Sequence, residues 1–245
     1  MRRCLFCDNS ANTREHAWPR WILEAFKPPV PFHRRSGKKL ENRTNDYEPK
    51  IRMVCSACNR GWMSDLENRC RGIIGAMMSG ASISLDKEAQ FHLSRWAIKT
   101  SITLGCLVKE GKAACYTDEE REMLRFGTTL PAKSLVWMAR YTDPDLLVSI
   151  GTAKTPAKDI LDFDWCVANL AVGYLLLQVL NFHTLGDDTD TSSVLVPVDG
   201  PWEDGLIPIS PSAGTVLWPP TVSFSDEGRF PVSALLNRFG GKLGW

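Results

Sequence analysis

Two Cys-x-x-Cys pairs, Cys4/Cys7 and Cys55/Cys58, constrain this chain more than any other feature of its sequence. Each spacing lets a short turn present two thiolates to one ion. Two such turns complete a tetrahedral Cys₄ set of the kind that closes structural zinc sites. If one Zn²⁺ joins the pairs, residues far apart in the chain must meet, and everything between them is tied to one scaffold. The run Thr13-Arg14-Glu15-His16-Ala17-Trp18-Pro19 lies between the pairs, and Asn59 directly follows the last cysteine. A carboxylate, an imidazole and a carboxamide are thereby attached to a single small frame.

The ordered set Cys-x-x-Cys, acidic residue-His-x-x-Pro, Cys-x-x-Cys-Asn resembles the HNH family of metal-dependent endonucleases, the zinc-stapled ββα-metal or His-Me finger group. The resemblance covers about the first 75 residues. It implies that Cys4, Cys7, Cys55 and Cys58 bind structural zinc, that Glu15 and Asn59 hold a catalytic divalent ion, and that His16 is the general base. Hard oxygen ligands favour Mg²⁺ or Mn²⁺ for that second ion. The chain departs from the family where an Asn usually precedes the second knuckle and helps orient the His. Lys50 stands there instead.

Charge is distributed unevenly. Residues 1–75 carry 15 Lys/Arg against 8 Asp/Glu, and residues 76–245 carry 14 against 20, although the whole chain sums to +1. The positive segment suits a polyanionic partner, and the resemblance makes that partner DNA. Arg14, Arg52 and Arg60 are candidate phosphate clamps. Arg34, Arg35, Lys38 and Lys39 form a basic run in a segment whose preceding prolines, Pro28, Pro29 and Pro31, predict a loop inserted between two short strands.

At 245 residues and 44% apolar content the chain can bury a sizeable core. The expected architecture is α+β: an N-terminal ββα-metal, zinc-finger-like module over residues 1–80, and over 81–245 a domain of long helices plus an antiparallel sheet. Ile51–Val54 reads as a strand, with a helix starting near Asn59. Asp86–Val108 reads as a long helix buried on more than one side. Thr117 with Glu120 three residues on predicts a capped helix reaching Phe126. The segments Leu135–Tyr141 and Leu146–Thr152, separated by Thr142-Asp143-Pro144-Asp145, predict a hairpin.

Trp165–Phe182 holds 18 uncharged residues, the lower edge of membrane-spanning length. Asn169, Gln178 and Asn181 interrupt it, so no membrane partner is expected; two buried strands joined near Gly173 are the leading expectation and a buried helix the alternative, because an apolar run does not discriminate between them. No leader-like apolar segment precedes Cys4, so a cytoplasmic protein is expected. Cys70, Cys106, Cys115 and Cys166 are read there as reduced core thiols.

The function these features imply is hydrolysis of DNA phosphodiester bonds by an HNH-type endonuclease, with His16 as base and one divalent ion at the scissile phosphate. The C-terminal domain would select substrate, position the cut or pair two copies as a homo-oligomer. The competing reading is a non-catalytic zinc module that binds nucleic acid or a protein.

Overall fold

The computed structural model describes residues 2–25, 32–36, 39–44, 50–106, 116–154, 163–184, 205–212 and 214–225. Helices and antiparallel sheets both occur, so the chain is α+β. Two short strands, β1 (Arg3–Cys4) and β2 (Cys7–Ser10), carry the first cysteine pair at the turn between them. Strand β3 (Thr13–His16) then pairs antiparallel with β6 (Lys50–Val54), with a register shift between Thr13 and Glu15. Helix α1 (Arg20–Ala25) follows β3 and buries Ile22 and Leu23.

Strands β4 (Phe32–Ser36) and β5 (Lys39–Thr44) form an antiparallel ribbon where a loop was expected. Backbone pairing alone can close a two-stranded ribbon, so its sequence can lack the apolar alternation that marks strands elsewhere. Arg34, Arg35 and Lys39 lie on this ribbon, paired with Asn42, Leu40 and Ser36, and Lys38 falls outside the described residues.

After β6 the chain turns into α2 (Ser56–Cys58), a wider turn over Asn59–Met63, and α3 (Ser64–Met78). Gly61, at φ −94° and ψ −116°, breaks the helical path and separates the first turn from the rest. Helix α4 (Lys87–Gly105) is the centre of the molecule. Asp86 caps it by accepting a hydrogen bond from the Ala89 N–H at 2.8 Å, and every residue from Leu93 to Gly105 is buried. It packs on α3 and on the main sheet, which explains why its apolar residues follow no single stripe. Helix α5 (Asp118–Phe126) has the expected reciprocal cap: Thr117 Oγ1 accepts from the Glu120 N–H, and a Glu120 carboxylate oxygen accepts from the Thr117 N–H.

The main sheet is built on two long strands, β8 (Ser134–Lys154) and β9 (Phe163–Thr184), antiparallel along their length. Strand β10 (Ile207–Ser210) pairs antiparallel with β8, and β12 (Ser223–Phe224) pairs parallel with it. A separate pair joins β7 (Ile83–Leu85) to β11 (Val216–Trp218). The two segments flanking Thr142-Asp143-Pro144-Asp145 do not form a hairpin with each other; both pair with β9. Arg140 faces Leu175 while Asp145 faces Gly173, so β8 carries extra residues where the ribbon bends.

The bend is sharp. Gln178 Nε2 donates to Asn169 Oδ1 at 3.0 Å, although residues that far apart on a straight strand would be separated by about 30 Å. The strand therefore doubles back at Gly173, close to the expected pair of strands joined there. The polar interruptions of the apolar run have the same explanation: Asn169 and Gln178 bond to each other across the fold, and Ser134 Oγ donates to Asn181 Oδ1 at 3.0 Å between directly paired positions.

Gly173 has φ +54°, and a Cβ there would stand 2.4 Å from the carbonyl oxygen of Met78 at the end of α3. Gly173→Ala should cost at least about 2 kcal/mol, combining the left-handed backbone penalty with a backbone clash. Urea denaturation measures it, and a change below about 0.5 kcal/mol, the range usual for surface substitutions, would mean that the bend tolerates a side chain.

One buried apolar cluster runs from Cys4, Phe6 and Trp18 through Ile74, Trp96 and Val136 to Trp218, crossing the boundary expected near residue 80. Trp18 and Trp96 meet across it with ring centroids 6.3 Å apart. Phe6 and Trp18 are buried, while Trp21 and Trp62 pack partly exposed against the same cluster, in keeping with core rather than base-stacking roles. Cys70 and Cys106 are free thiols, but Cys166 is disulfide-bonded, which corrects its reading as a reduced thiol; Cys115 lies outside the described residues. No described helix is long and apolar enough to cross a membrane.

Candidate metal centre and adjoining carboxylate site

The four cysteines Cys4, Cys7, Cys55 and Cys58 converge, with their sulfur atoms all within 4.8 Å of one another. Cys7 Sγ lies 3.5 Å from Cys55 Sγ and 3.6 Å from Cys58 Sγ. Four bonds of about 2.3 Å to a central Zn²⁺ would give a tetrahedron with edges of about 3.8 Å, so the cluster needs little adjustment to hold the ion. Backbone donors are already aimed at the sulfurs: the N–H groups of Phe6 and Cys55 point to Cys4 Sγ at 3.5 and 3.3 Å, and the Cys58 N–H points to Cys55 Sγ at 3.4 Å.

Protonation behaviour also fits a cation. Burial pushes the Cys4 and Cys58 thiols above their ordinary range. Burial acts the same way on Cys55, but the Cys58 N–H and the neighbouring sulfurs outweigh it and bring that thiol down to about 7. The Cys55 thiolate is thus favoured without metal, and the buried Cys4 and Cys58 sulfurs ionise more readily with a positive charge at the centre. The donor set and its geometry fit a metal such as zinc.

This cluster also positions the residues beside it. Leu5 N–H donates to the Met53 carbonyl at 2.8 Å, and Ser56 N–H donates to Asn12 Oδ1 at 2.8 Å, fastening the first knuckle and its following turn to β6 and α2. Thr13 Oγ1 donates to the Val54 carbonyl at 2.8 Å. Asn59, whose N–H bonds the Cys55 carbonyl at 3.0 Å, sends its Nδ2 to Thr13 Oγ1 at 3.2 Å. Its side chain also hydrogen-bonds Glu15. Glu15 and Asn59 are therefore brought together.

Glu15 is only 7% exposed. Burial, assisted by the negative charge of Glu67, pushes its carboxyl up to about 7, while Lys99 and the Asn59 hydrogen bond act in the opposite direction. A carboxyl raised in the folded state favours folding in its protonated form, so without a bound cation this group lowers stability as pH rises from about 4.5 to about 7. A divalent ion would relieve that cost. Ligation through Asn59 Oδ1 requires the carboxamide to turn, because Nδ2 now faces Thr13 and Glu15; a Glu15 oxygen and that carbonyl are then two hard oxygen donors of the kind that suit Mg²⁺ or Mn²⁺.

His16 is placed differently. It follows Glu15 on β3 and pairs with Lys50, so the alternation of the strand directs it away from the Glu15 side. Arg14, Lys50 and Arg52 are exposed on the β3–β6 pair, so three cations lie on the two strands that carry His16 and its partner. Lys50, the departure from the family pattern, is thus His16's cross-strand neighbour. Arg60 is exposed on the turn after α2.

A residue that sequence reasoning missed is Lys99. It lies on α4, its side chain is 1% exposed, and its Nζ is 2.8 Å from Glu67 Oε1. No local spacing relates Lys99 to Glu15, and α4 read simply as an apolar helix. Only a buried cation inside that helix could have hinted at a partner from elsewhere. No family model, curated protein or solved structure matches the chain.

Proposed function

We propose that this chain is a metal-dependent endonuclease that hydrolyses DNA phosphodiester bonds at an HNH-type site, with structural zinc at Cys4, Cys7, Cys55 and Cys58. One juxtaposition carries the reading: Asn59 immediately follows a cysteine of the four-thiol cluster, and its carboxamide meets the buried Glu15 of the paired strand β3. Glu15 and Asn59 would hold Mg²⁺ or Mn²⁺. When bound, that ion polarises the scissile phosphate and stabilises the departing oxygen. His16 accepts a proton from the attacking water. The cations Arg14, Lys50 and Arg52 lie on the strand pair that carries His16, and Arg34, Arg35 and Lys39 on the ribbon that joins β3 to β6 in the chain, where they supply phosphate contacts.

The position of His16 on the alternate face of β3 favours the second reading, a zinc module that binds nucleic acid without cutting it. The two separate in one assay. Supercoiled plasmid incubated with zinc-loaded protein should be nicked when Mg²⁺ or Mn²⁺ is added and spared when both are omitted. Retention of plasmid on the protein with no nicking under any divalent ion would establish the non-catalytic module instead.

A further inference from the structure

The buried Lys99–Glu67 pair acts electrostatically on Glu15, and Trp18, three residues beyond Glu15, meets Trp96 beside Lys99 with ring centroids 6.3 Å apart; the pair is unusual in what it costs. An ammonium 1% exposed must lose nearly all its hydration, which a fold tolerates only against strong compensation. Glu67 provides part of it at 2.8 Å, and the charge of Lys99 is also felt at Glu15. Three elements contribute: Glu15 from β3, Glu67 from α3 and Lys99 from α4. The Lys99 ammonium also lies over the Trp96 ring, with Nζ 6.0 Å from its centroid, a second contact that holds the cation in place. With both carboxyls ionised the trio carries a single net negative charge rather than two.

We propose that Lys99 is a positioning residue that occupies part of the field of Glu15 and Glu67 and so keeps the site's affinity for a divalent cation low until a phosphate arrives. This rests on the endonuclease reading. Glu15 and Asn59 supply few ligands, and an ion such as Mg²⁺ held by so few protein groups depends on substrate phosphate oxygens for the remainder. A fixed ammonium nearby opposes the bare ion, and an incoming phosphodiester, with its own negative charge, offsets that opposition. The ion and the nucleic acid then bind together, and the protein without nucleic acid does not retain the ion.

The test is a titration of the zinc-loaded full chain with Mn²⁺ alone, at about pH 8.5 and followed by electron paramagnetic resonance, for the parent, Lys99→Met and Lys99→Arg. Removing a unit charge near a divalent ion should tighten Mn²⁺ binding by at least about tenfold in Lys99→Met. Lys99→Arg, which keeps the charge, should bind as the parent does. A purely packing role for Lys99 would leave affinity unchanged or weaken it, so either of those results in a zinc-replete Lys99→Met overturns the proposal. Lys99→Gln can still donate to Glu67 and carries the same test if Lys99→Met does not fold. If neither variant retains zinc, Lys99 is structural and the proposal fails. Should the parent and all variants bind no Mn²⁺ while the parent still nicks plasmid, the proposal alone falls. No Mn²⁺ binding and no nicking would remove the endonuclease reading as well.

Discussion

Cys58→Ser should abolish stoichiometric metal binding and lower the melting temperature by more than about 10 °C, the largest stability loss expected from a single substitution in this chain. The reason is the small size of what the cluster holds. The segment around β1, β2, β3 and β6 has short strands, and its packing relies on Phe6, Val54 and the cysteines themselves. A structural zinc contributes about 10 kcal/mol or more of binding free energy that is also folding free energy, and a serine oxygen replaces a thiolate poorly. Because the apolar cluster continues into α3 and α4, the remainder of the core should survive while residues 2–25 and 50–60 become protease-sensitive. Cys70→Ser is the comparison, since Cys70 is buried on α3 outside the four-thiol cluster and its thiol donates to the His92 carbonyl at 3.3 Å. That variant should keep its metal. Elemental analysis of both proteins decides, and full zinc occupancy in Cys58→Ser would refute the tetrathiolate site.

His16→Ala should reduce divalent-ion-dependent nicking by at least about 100-fold while leaving plasmid binding within about twofold of the parent. The asymmetry follows from where the charges lie. On the proposed reading, phosphate affinity would come from Arg14, Lys50 and Arg52 on the same strand pair and from the basic ribbon, none of which His16→Ala removes. The imidazole would contribute a proton acceptor, whose loss should appear in the chemical step alone. His16 is neither deeply buried nor part of the four-thiol cluster, so zinc content should be unchanged. Equal nicking rates for parent and variant across Mg²⁺ and Mn²⁺ would assign the base elsewhere, and equal loss of binding and nicking would make His16 a contact residue instead.

Local chemistry was legible without a structure wherever neighbours in sequence are neighbours in space. Asp86 and the Thr117–Glu120 pair announce the starts of α4 and α5 because a helix cap is completed within four residues. The Cys-x-x-Cys spacings announce their own turns, and two matched turns imply a common ion, which in turn requires β1, β2 and the start of α2 to meet. Asn59 inherits its place near Glu15 from that closure, so the core of the candidate site was also readable.

Tertiary structure alone decided what depends on contacts between distant segments. The halves of β8 could as well have paired with each other as with β9; the doubled-over register, with Gly173 pressed on the Met78 carbonyl, resolves that choice because the bend must pack on α3. The ribbon of β4 and β5 was invisible because its residues carry no apolar period and only the pairing of the two backbones defines it. Lys99 is the sharpest case. Within α4 it is one polar residue in a buried helix, and its meaning appears only when α3 brings Glu67, and β3 brings Glu15, to the same interior. Sequence patterns record what a residue does to its own turn or strand; the electrostatic balance of a buried site is a sum over elements that only folding assembles.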